Sequence, residues 1–118
     1  MYSLGTGVEK NKDEAVKWYH KAGEHGDLNA MMHLCIKYYV GIDVPKSYPR
    51  AKIWCLKSAY NDNEDAQLNL GTMYYYGDGV QKNPKEAMTW FRKAAAQGDD
   101  MAEFYLGLLY EKGEPKRR

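Results

Sequence analysis

The sequence has no long apolar run and no excess of charge of one sign. Among its 118 residues, 17 Lys and Arg face 16 Asp and Glu, which leaves a formal net charge of +1. A charge so close to zero gives no support for nucleic acid or an acidic membrane surface as a partner, and we expect neither. No stretch of about 18 apolar residues is present, so the sequence contains no candidate transmembrane helix.

Cysteine is also scarce. Cys35 and Cys55 match neither the spacing of a metal site nor that of a redox motif. We interpret them as two reduced thiols that pack as small hydrophobic side chains. Residues 1–8, MYSLGTGV, lack the basic and apolar segments of a secretory signal. Together these features predict a cytoplasmic protein, although a leader removed earlier would leave no trace.

What the sequence does contain is an internal repeat. Trp18, Trp54 and Trp90 are spaced 36 residues apart. The same step relates Ala15 to Ala51 and Ala87, Leu34 to Leu70 and Leu106, Tyr38 to Tyr74 and Tyr110, and Gly5 to Gly41, Gly77 and Gly113. So many coincidences at one spacing indicate a repeat protein.

Each repeat contains two predicted helices, which we call the A helix and the B helix. The residues Ala15, Trp18, Tyr19 and Ala22 show the helical spacing of an apolar face. Asn83-Pro84 is a strong helix start signal. The pattern predicts A helices over about 28–40, 64–76 and 100–112, and B helices over about 12–25, 48–60 and 84–97. We therefore predict an all-α chain in which helix pairs stack and cover each other's apolar faces.

The repeated pattern resembles the Sel-1-like repeat, a relative of the tetratricopeptide repeat. Residues 66–98 carry it as Ala-x3-Leu-Gly-x2-Tyr-x2-Gly-x-Gly-Val, followed by Ala-x2-Trp-Phe-x-Lys-Ala-Ala-x2-Gly. The resemblance implies a right-handed α/α superhelix, or solenoid. We divide one domain, 1–118, into a partial repeat 1–29, repeats 30–65 and 66–101, and a partial repeat 102–118. The second repeat departs from the pattern at Cys35, Asp43 and Asp62, which puts its helix spacing and loop shape in question.

The recurring residues are expected to have structural roles. We expect large side chains at these positions to fill the core between helices, and the glycines to end helices and shape loops. The core positions are Trp18, Trp54, Trp90, Leu34, Leu70, Leu106, Tyr38, Tyr74 and Tyr110, and the glycines are Gly41, Gly77 and Gly79.

The resemblance also implies that the A helices line a concave face. Helical spacing separates the residues expected there from the core stripe, and a surface rich in Tyr, Met and Phe is typical of protein-binding sites. The expected residues are Met32, Ile36, Tyr39, Leu68, Thr72, Tyr75, Tyr76, Phe104 and Leu108, flanked by Val40 and Glu111. The alternative for Met32, Leu68 and Phe104, which share one repeat position, is packing between neighbouring A helices. The same alternative applies to Tyr39, Tyr75 and Tyr76.

The sequence offers little for catalysis, and we expect no enzyme, no cofactor and no metal. The loop Gly77-Asp78-Gly79 has no strand before it and no Lys-Ser/Thr after it, unlike a phosphate-binding loop. His20 and His25 do not share a helix face, and His20 is placed to form a surface pair with Glu24. An enzyme built on His33 with Cys35 or Cys55 would need a reactive thiol.

The functional hypothesis is therefore a non-catalytic scaffold or adaptor that binds a protein or peptide on its concave face. The alternative is a regulatory inhibitor or immunity protein that blocks a partner enzyme or toxin. The first B helix and the last A helix lack their own partners in the sequence pattern, and terminal repeats normally carry a polar outer face. Two interpretations follow: either the chain is a fragment of a longer solenoid, or its uncapped terminal helices allow self-association with another copy.

Overall fold

Six α-helices make up the part of the chain that the computed structural model describes, residues 11–112. They are α1 Lys12–Glu24, α2 Leu28–Val40, α3 Tyr48–Tyr60, α4 Glu64–Tyr76, α5 Pro84–Ala96 and α6 Asp100–Glu111. These bounds agree with the predicted ones to within one residue, and the predicted all-α solenoid is confirmed. Repeat positions Gly5 and Gly113 lie outside the described residues. No helix between residues 11 and 112 is long and apolar enough to cross a membrane.

Side-chain caps explain where five of these helices begin. At each start an Asp, Ser or Asn oxygen accepts a hydrogen bond from the backbone N–H three residues later, an interaction that contributes about 1 kcal/mol. The capping residues and their N–H···O distances are Asp27 at 2.9 Å, Ser47 at 3.3 Å, Asn63 at 2.9 Å, Asn83 at 3.1 Å and Asp99 at 2.9 Å. Pro84 occupies the first turn of α5, where a missing N–H does no harm.

The loops of the second repeat keep their shape without glycine. Asp43 has a φ of 65° and Asp62 a φ of 67°, close to the 72° of Gly79 and the 93° of Gly98 at the corresponding positions. Aspartate tolerates this left-handed backbone better than most residues. Asp43 is further held by Lys37, whose ammonium donates to its carboxylate at 3.0 Å and lowers the pKa of that carboxyl.

The helices stack into a rod of 61 × 25 × 25 Å. The A helices α2 and α4 each pack on the B helix that follows, and neighbouring A helices also touch. Five of the predicted core residues are buried: Leu34, Leu70, Tyr38, Trp54 and Trp90. Two more, Tyr74 and Leu106, are half-buried.

Two predicted core positions are wrong. The side chain of Trp18 is 59% exposed, against 7% for Trp54 and 3% for Trp90. Tyr110 is 58% exposed, against 7% for Tyr38. The reason is that burial at these positions comes from the neighbouring helix, and within residues 11–112 no A helix precedes α1 and no B helix follows α6.

The interpretation of the cysteines as reduced thiols is also wrong. Cys35 of α2 and Cys55 of α3 form a buried disulfide with their Cα atoms 4.7 Å apart. In the next repeat the same two positions hold Gly71 and Phe91, which touch so closely that a Cβ on Gly71 would lie 2.4 Å from Cε1 of the ring. The disulfide thus replaces a glycine–aromatic contact.

The disulfide removes two of the sequence-based arguments. An enzyme that relies on a free thiol of Cys35 or Cys55 loses its nucleophile, because both sulfurs are bonded to each other. Disulfides are typical of oxidising compartments. The cytoplasmic location therefore stays a prediction.

Candidate functional site

The nine residues predicted for the concave face lie on α2, α4 and α6, and we refer to them as the A-helix strip. Phe104 and Tyr76 are its most open members, at 60% and 57% exposure. Val40 and Met101, which flank the strip on the same helices, are 54% and 51% exposed. The other members are half-buried: Met32, Ile36, Tyr39, Leu68, Thr72, Tyr75 and Leu108.

The shared repeat position of Met32, Leu68 and Phe104 does not have one environment. Leu68 packs against the core formed by α5 and α6, as the alternative interpretation expects. Met32 is half-buried, whereas Phe104 is mostly exposed. Of the three, Phe104 is therefore the one open to a partner.

Tyr39 links two neighbouring repeats. Its hydroxyl donates to Oδ2 of Asp78 at 3.1 Å and lies 3.1 Å from Oγ1 of Thr72, which in turn donates to the carbonyl of Asn69 at 2.8 Å. Burial is the main cause that raises the pKa of Tyr39 to about 12. The hydroxyl thus stays protonated at neutral pH and joins α2 to α4 and to the loop that follows α4.

An aromatic cluster forms the other end of the strip. The ring of Tyr105 stacks on that of Phe91 with centroids 4.8 Å apart, and Tyr75 meets Tyr105 edge-on at 5.1 Å. The hydroxyls of Tyr76 and Tyr105 are 3.1 Å apart. Burial, followed by this hydrogen bond, raises the pKa of Tyr105 well above its ordinary value. The exposed Phe104 side chain lies beside this network, with its ring centroid 6.1 Å from that of Tyr105.

Sequence reasoning missed Tyr105 and Met101. At the position of Tyr105 the earlier A helices have His33 and Asn69, and at that of Met101 the preceding A helix has Asp65, so neither position recurs. A signal was present nonetheless, since both residues occur near Phe104 in an apolar A helix.

A cavity of about 370 Å³ opens next to the aromatic cluster. Tyr75, Tyr76 and Leu109 supply its apolar wall, and Lys82 and Lys112 supply two cations, with Pro84 completing the lining. The Lys112 ammonium lies 6.0 Å from the ring centroid of Tyr75. A volume in this range can accept a side chain or a small ligand. Its chemistry suits an apolar group that has a carboxylate close to it.

The histidines do not converge. His20 Nε2 lies 2.8 Å from the hydroxyl of Tyr38, and the ring also meets Trp54 edge-on, so the expected pair with Glu24 is wrong. His33 stacks on Tyr19 with ring centroids 4.9 Å apart. These rings therefore contribute to packing between α1 and its neighbours.

Comparison with known proteins agrees with the geometry. The family model described as the Sel1 repeat matches residues 1–27, 28–63, 64–99 and 100–118. The chain belongs to the Sel1-repeat family. Sel1-repeat proteins generally act as scaffolds for protein–protein interactions and are generally non-catalytic. A comparison with curated proteins returns no match.

Solved Sel1-repeat structures are similar to this chain. The protein c5321, a protective antigen present in uropathogenic Escherichia coli strains, is 39% identical with a TM-score of 0.84 over 96% of this chain and 24% of its own. A Sel1 repeat protein from Oxalobacter formigenes is 38% identical with a TM-score of 0.75, over 79% and 27% of the two chains. Helicobacter pylori cysteine rich protein B is 33% identical with a TM-score of 0.70, over 78% and 69%. The chain thus spans about a quarter of the length of the first two.

Proposed function

We propose that this Sel1-repeat chain is a non-catalytic scaffold that binds a protein or peptide on the A-helix strip. The observation that carries the proposal is the exposure of Phe104 and Tyr76 in the A-helix strip and of Val40 and Met101, which flank it. Exposed apolar residues that lie together mark interaction sites, and aromatic anchors contribute most of the binding energy in such sites.

The support beneath the strip favours a binding role. Tyr39 donates a hydrogen bond to Asp78, and the hydroxyl of Tyr76 is paired with that of Tyr105. A surface that is already ordered loses less conformational entropy when a partner binds. The Phe104 ring can therefore act as an anchor beside side chains that do not have to reorganise.

The cavity at the end of the strip indicates the chemistry of the partner. Lys82 and Lys112 form no salt bridge among the described residues, and both line the space beside Tyr75. We propose a peptide segment with apolar or aromatic anchors and an acidic residue next to one of them. The net charge of +1 fits such a partner better than nucleic acid or a membrane surface.

Peptide display tests this proposal. Peptides selected on the wild-type chain would be titrated by fluorescence anisotropy against Phe104→Ser and Tyr76→Ser. We expect each variant to raise the dissociation constant at least tenfold, a loss of about 1.4 kcal/mol or more. The matched control is Ile53→Ser on α3, because Ile53 is 54% exposed on a B helix, away from the A-helix strip.

The outcome is clear in both directions. Equal affinities for Phe104→Ser, Ile53→Ser and the wild type would refute binding on the A-helix strip. Thermal unfolding of each variant must match that of the wild type, so that a lost affinity reports the surface and not the fold. An inhibitor that blocks a partner enzyme would use the same strip, and inhibition of an enzyme by the chain would distinguish this alternative from an adaptor.

A further inference from the structure

The disulfide lies in a layer of the rod where two neighbouring helix pairs differ. Between α4 and α5 this layer holds Gly71 and the ring of Phe91, a contact that no redox change can alter. Between α2 and α3 it holds Cys35 and Cys55, and both are fully buried. The packing of α2 on α3 at this level therefore depends on the oxidation state of the two sulfurs, whereas the packing of α4 on α5 does not.

Cys35 also contacts the next A helix. The side-chain amide of Asn69 on α4 donates a hydrogen bond to Sγ of Cys35 at 3.4 Å. The backbone carbonyl of Asn69 accepts a hydrogen bond from Oγ1 of Thr72 at 2.8 Å. That oxygen lies 3.1 Å from the hydroxyl of Tyr39, which donates to Asp78. A continuous series of polar contacts thus runs from the disulfide through α4 to the loop that follows α4.

This series includes members of the A-helix strip. Tyr39 lies one helical turn after Cys35 on the same side of α2, so a movement of α2 at the disulfide displaces Tyr39 as well. Tyr39 and Thr72 are half-buried where α2 meets α4. A contiguous network of packed and hydrogen-bonded groups can carry coupling between two sites. The order of the strip between α2 and α4 therefore depends on how firmly α3 holds α2.

We propose that the Cys35–Cys55 disulfide controls binding at the A-helix strip, and that the reduced chain binds peptides there more weakly. This inference deepens the proposed function and rests on it for the binding measurement. A dithiol reductant supplies two electrons and two protons, so that the S–S bond becomes two S–H groups while the reductant forms its own disulfide. Without the covalent bond α2 moves more freely relative to α3, and the contacts from Asn69 to Tyr39 lose their fixed end.

Burial determines when this change can occur. Thiol–disulfide exchange requires direct access of a thiolate to a sulfur, and Cys35 and Cys55 are both 0% exposed. A reductant therefore reaches the sulfurs only after α2 and α3 separate in a local opening. The oxidation state that is set while the chain folds persists in the folded rod, and the affinity of the strip follows the redox conditions of folding.

Peptide binding to the two redox forms tests the proposal. The reduced form would be prepared by unfolding in urea with dithiothreitol and refolding in the same reductant, and alkylation with mass spectrometry would confirm both thiols. For selected peptides whose affinity depends on Phe104, we expect reduction to raise the dissociation constant at least about fivefold, the lower end of typical couplings between sites.

Two double variants accompany this measurement. Cys35→Ala with Cys55→Ala removes the bond without a reductant and should show the same loss of affinity. Cys35→Gly with Cys55→Phe copies the contact between α4 and α5 and has no cysteine left. Its affinity should not respond to dithiothreitol, so it controls for effects of the reductant itself.

Hydrogen exchange of the free chain needs no peptide. Reduction should increase amide exchange in α2 and over residues 72–79, and leave α5 nearly unchanged. Tyr39→Phe removes the hydroxyl that donates to Asp78. In this variant the oxidised chain should already exchange faster over 72–79, and reduction should add little there.

Equal affinity of the oxidised and reduced chains for Phe104-dependent peptides overturns the proposal, and so does unchanged exchange over 72–79. A loss of protection in every helix from α1 to α6 also overturns it, because reduction would then act on the whole fold. Selected peptides that are insensitive to Phe104→Ser would instead contradict the proposed function. In that case the exchange over 72–79 still decides whether the disulfide controls the order of the strip.

Discussion

Replacing Gly71 by alanine tests the contact on which helix pairing depends. The new Cβ would lie 2.4 Å from Cε1 and 2.5 Å from Cδ1 of Phe91. That ring is fully buried and stacked on Tyr105, so it has little room to move. Overpacking a core costs about 1–3 kcal/mol, while alanine is favoured over glycine in a helix by about 1 kcal/mol. The free energy of unfolding should therefore fall by up to about 2 kcal/mol, because the cost of the contact outweighs the gain in helix propensity.

Gly107→Ala is the matched control, since it makes the same change at the same repeat position with nothing within 4 Å. Here only helix propensity changes, and the free energy of unfolding should rise by about 0.5–1 kcal/mol. The difference between the two variants, about 2 kcal/mol, therefore measures the contact with Phe91. Urea unfolding followed by far-ultraviolet circular dichroism at low protein concentration provides both values.

The result that would refute this reasoning is an equal shift in the two variants. A stabilised Gly71→Ala would show that the ring of Phe91 relocates at no cost. If the clash is the cause, adding Phe91→Leu to Gly71→Ala should recover part of the lost stability, because the smaller side chain leaves room for the methyl group.

Other perturbations follow from the disulfide, an acidic pair and a strained loop residue. Reduction of Cys35–Cys55, which are 20 residues apart, should lower the free energy of unfolding by about 3 kcal/mol; urea unfolding with and without dithiothreitol checks this, and an unchanged midpoint contradicts it. A hydrogen bond to Asp99, followed by desolvation and nearby carboxylates, raises the pKa of Glu64. The stabilisation from the protonated form is present below the unfolded-state pKa and is lost as pH rises through the folded-state value. Glu64→Gln should therefore raise stability near pH 7 and leave it unchanged near pH 3, and equal shifts at both would count against the pair. Asp62 has a φ of 67°, so Asp62→Gly should stabilise by about 0.5–1 kcal/mol and Asp62→Ala should destabilise by about 1 kcal/mol, in chemical denaturation, with the reverse order as the contrary result.

Helix bounds could be predicted from the sequence because caps act within one turn. Asn83 accepts from the N–H of Glu86, and Gly77 ends α4 with a φ of 80°, as the residue types indicate. Neither signal depends on the rest of the fold. For the same reason the predicted ends of all six helices agree with the structure to within one residue.

Burial could not be predicted in the same way. Trp18 has the same local sequence pattern as Trp54, yet Trp18 is exposed and Trp54 is buried. The difference arises because burial at this position depends on a neighbouring helix and not on the local sequence. The disulfide was missed because a separation of 20 residues matches no motif. Only the repeat register relates Cys35 and Cys55 to positions that touch in the next unit.

The A-helix strip could be predicted only in part. Helical spacing could assign Tyr39 and Phe104 to one side of the A helices. It could not show that Tyr39 donates a hydrogen bond to Asp78, because that loop approaches only after the repeats stack. The strip therefore mixes residues that hold the repeats together with residues that stay open, and sequence alone does not separate them.

The position of the disulfide also bears on how the rod loses its structure. In a linear array each unit depends on its neighbours, so that opening of one helix pair weakens the pairs beside it. The covalent bond between α2 and α3 keeps one helical hairpin tethered throughout. After partial unfolding, the other helices can refold by packing onto that hairpin.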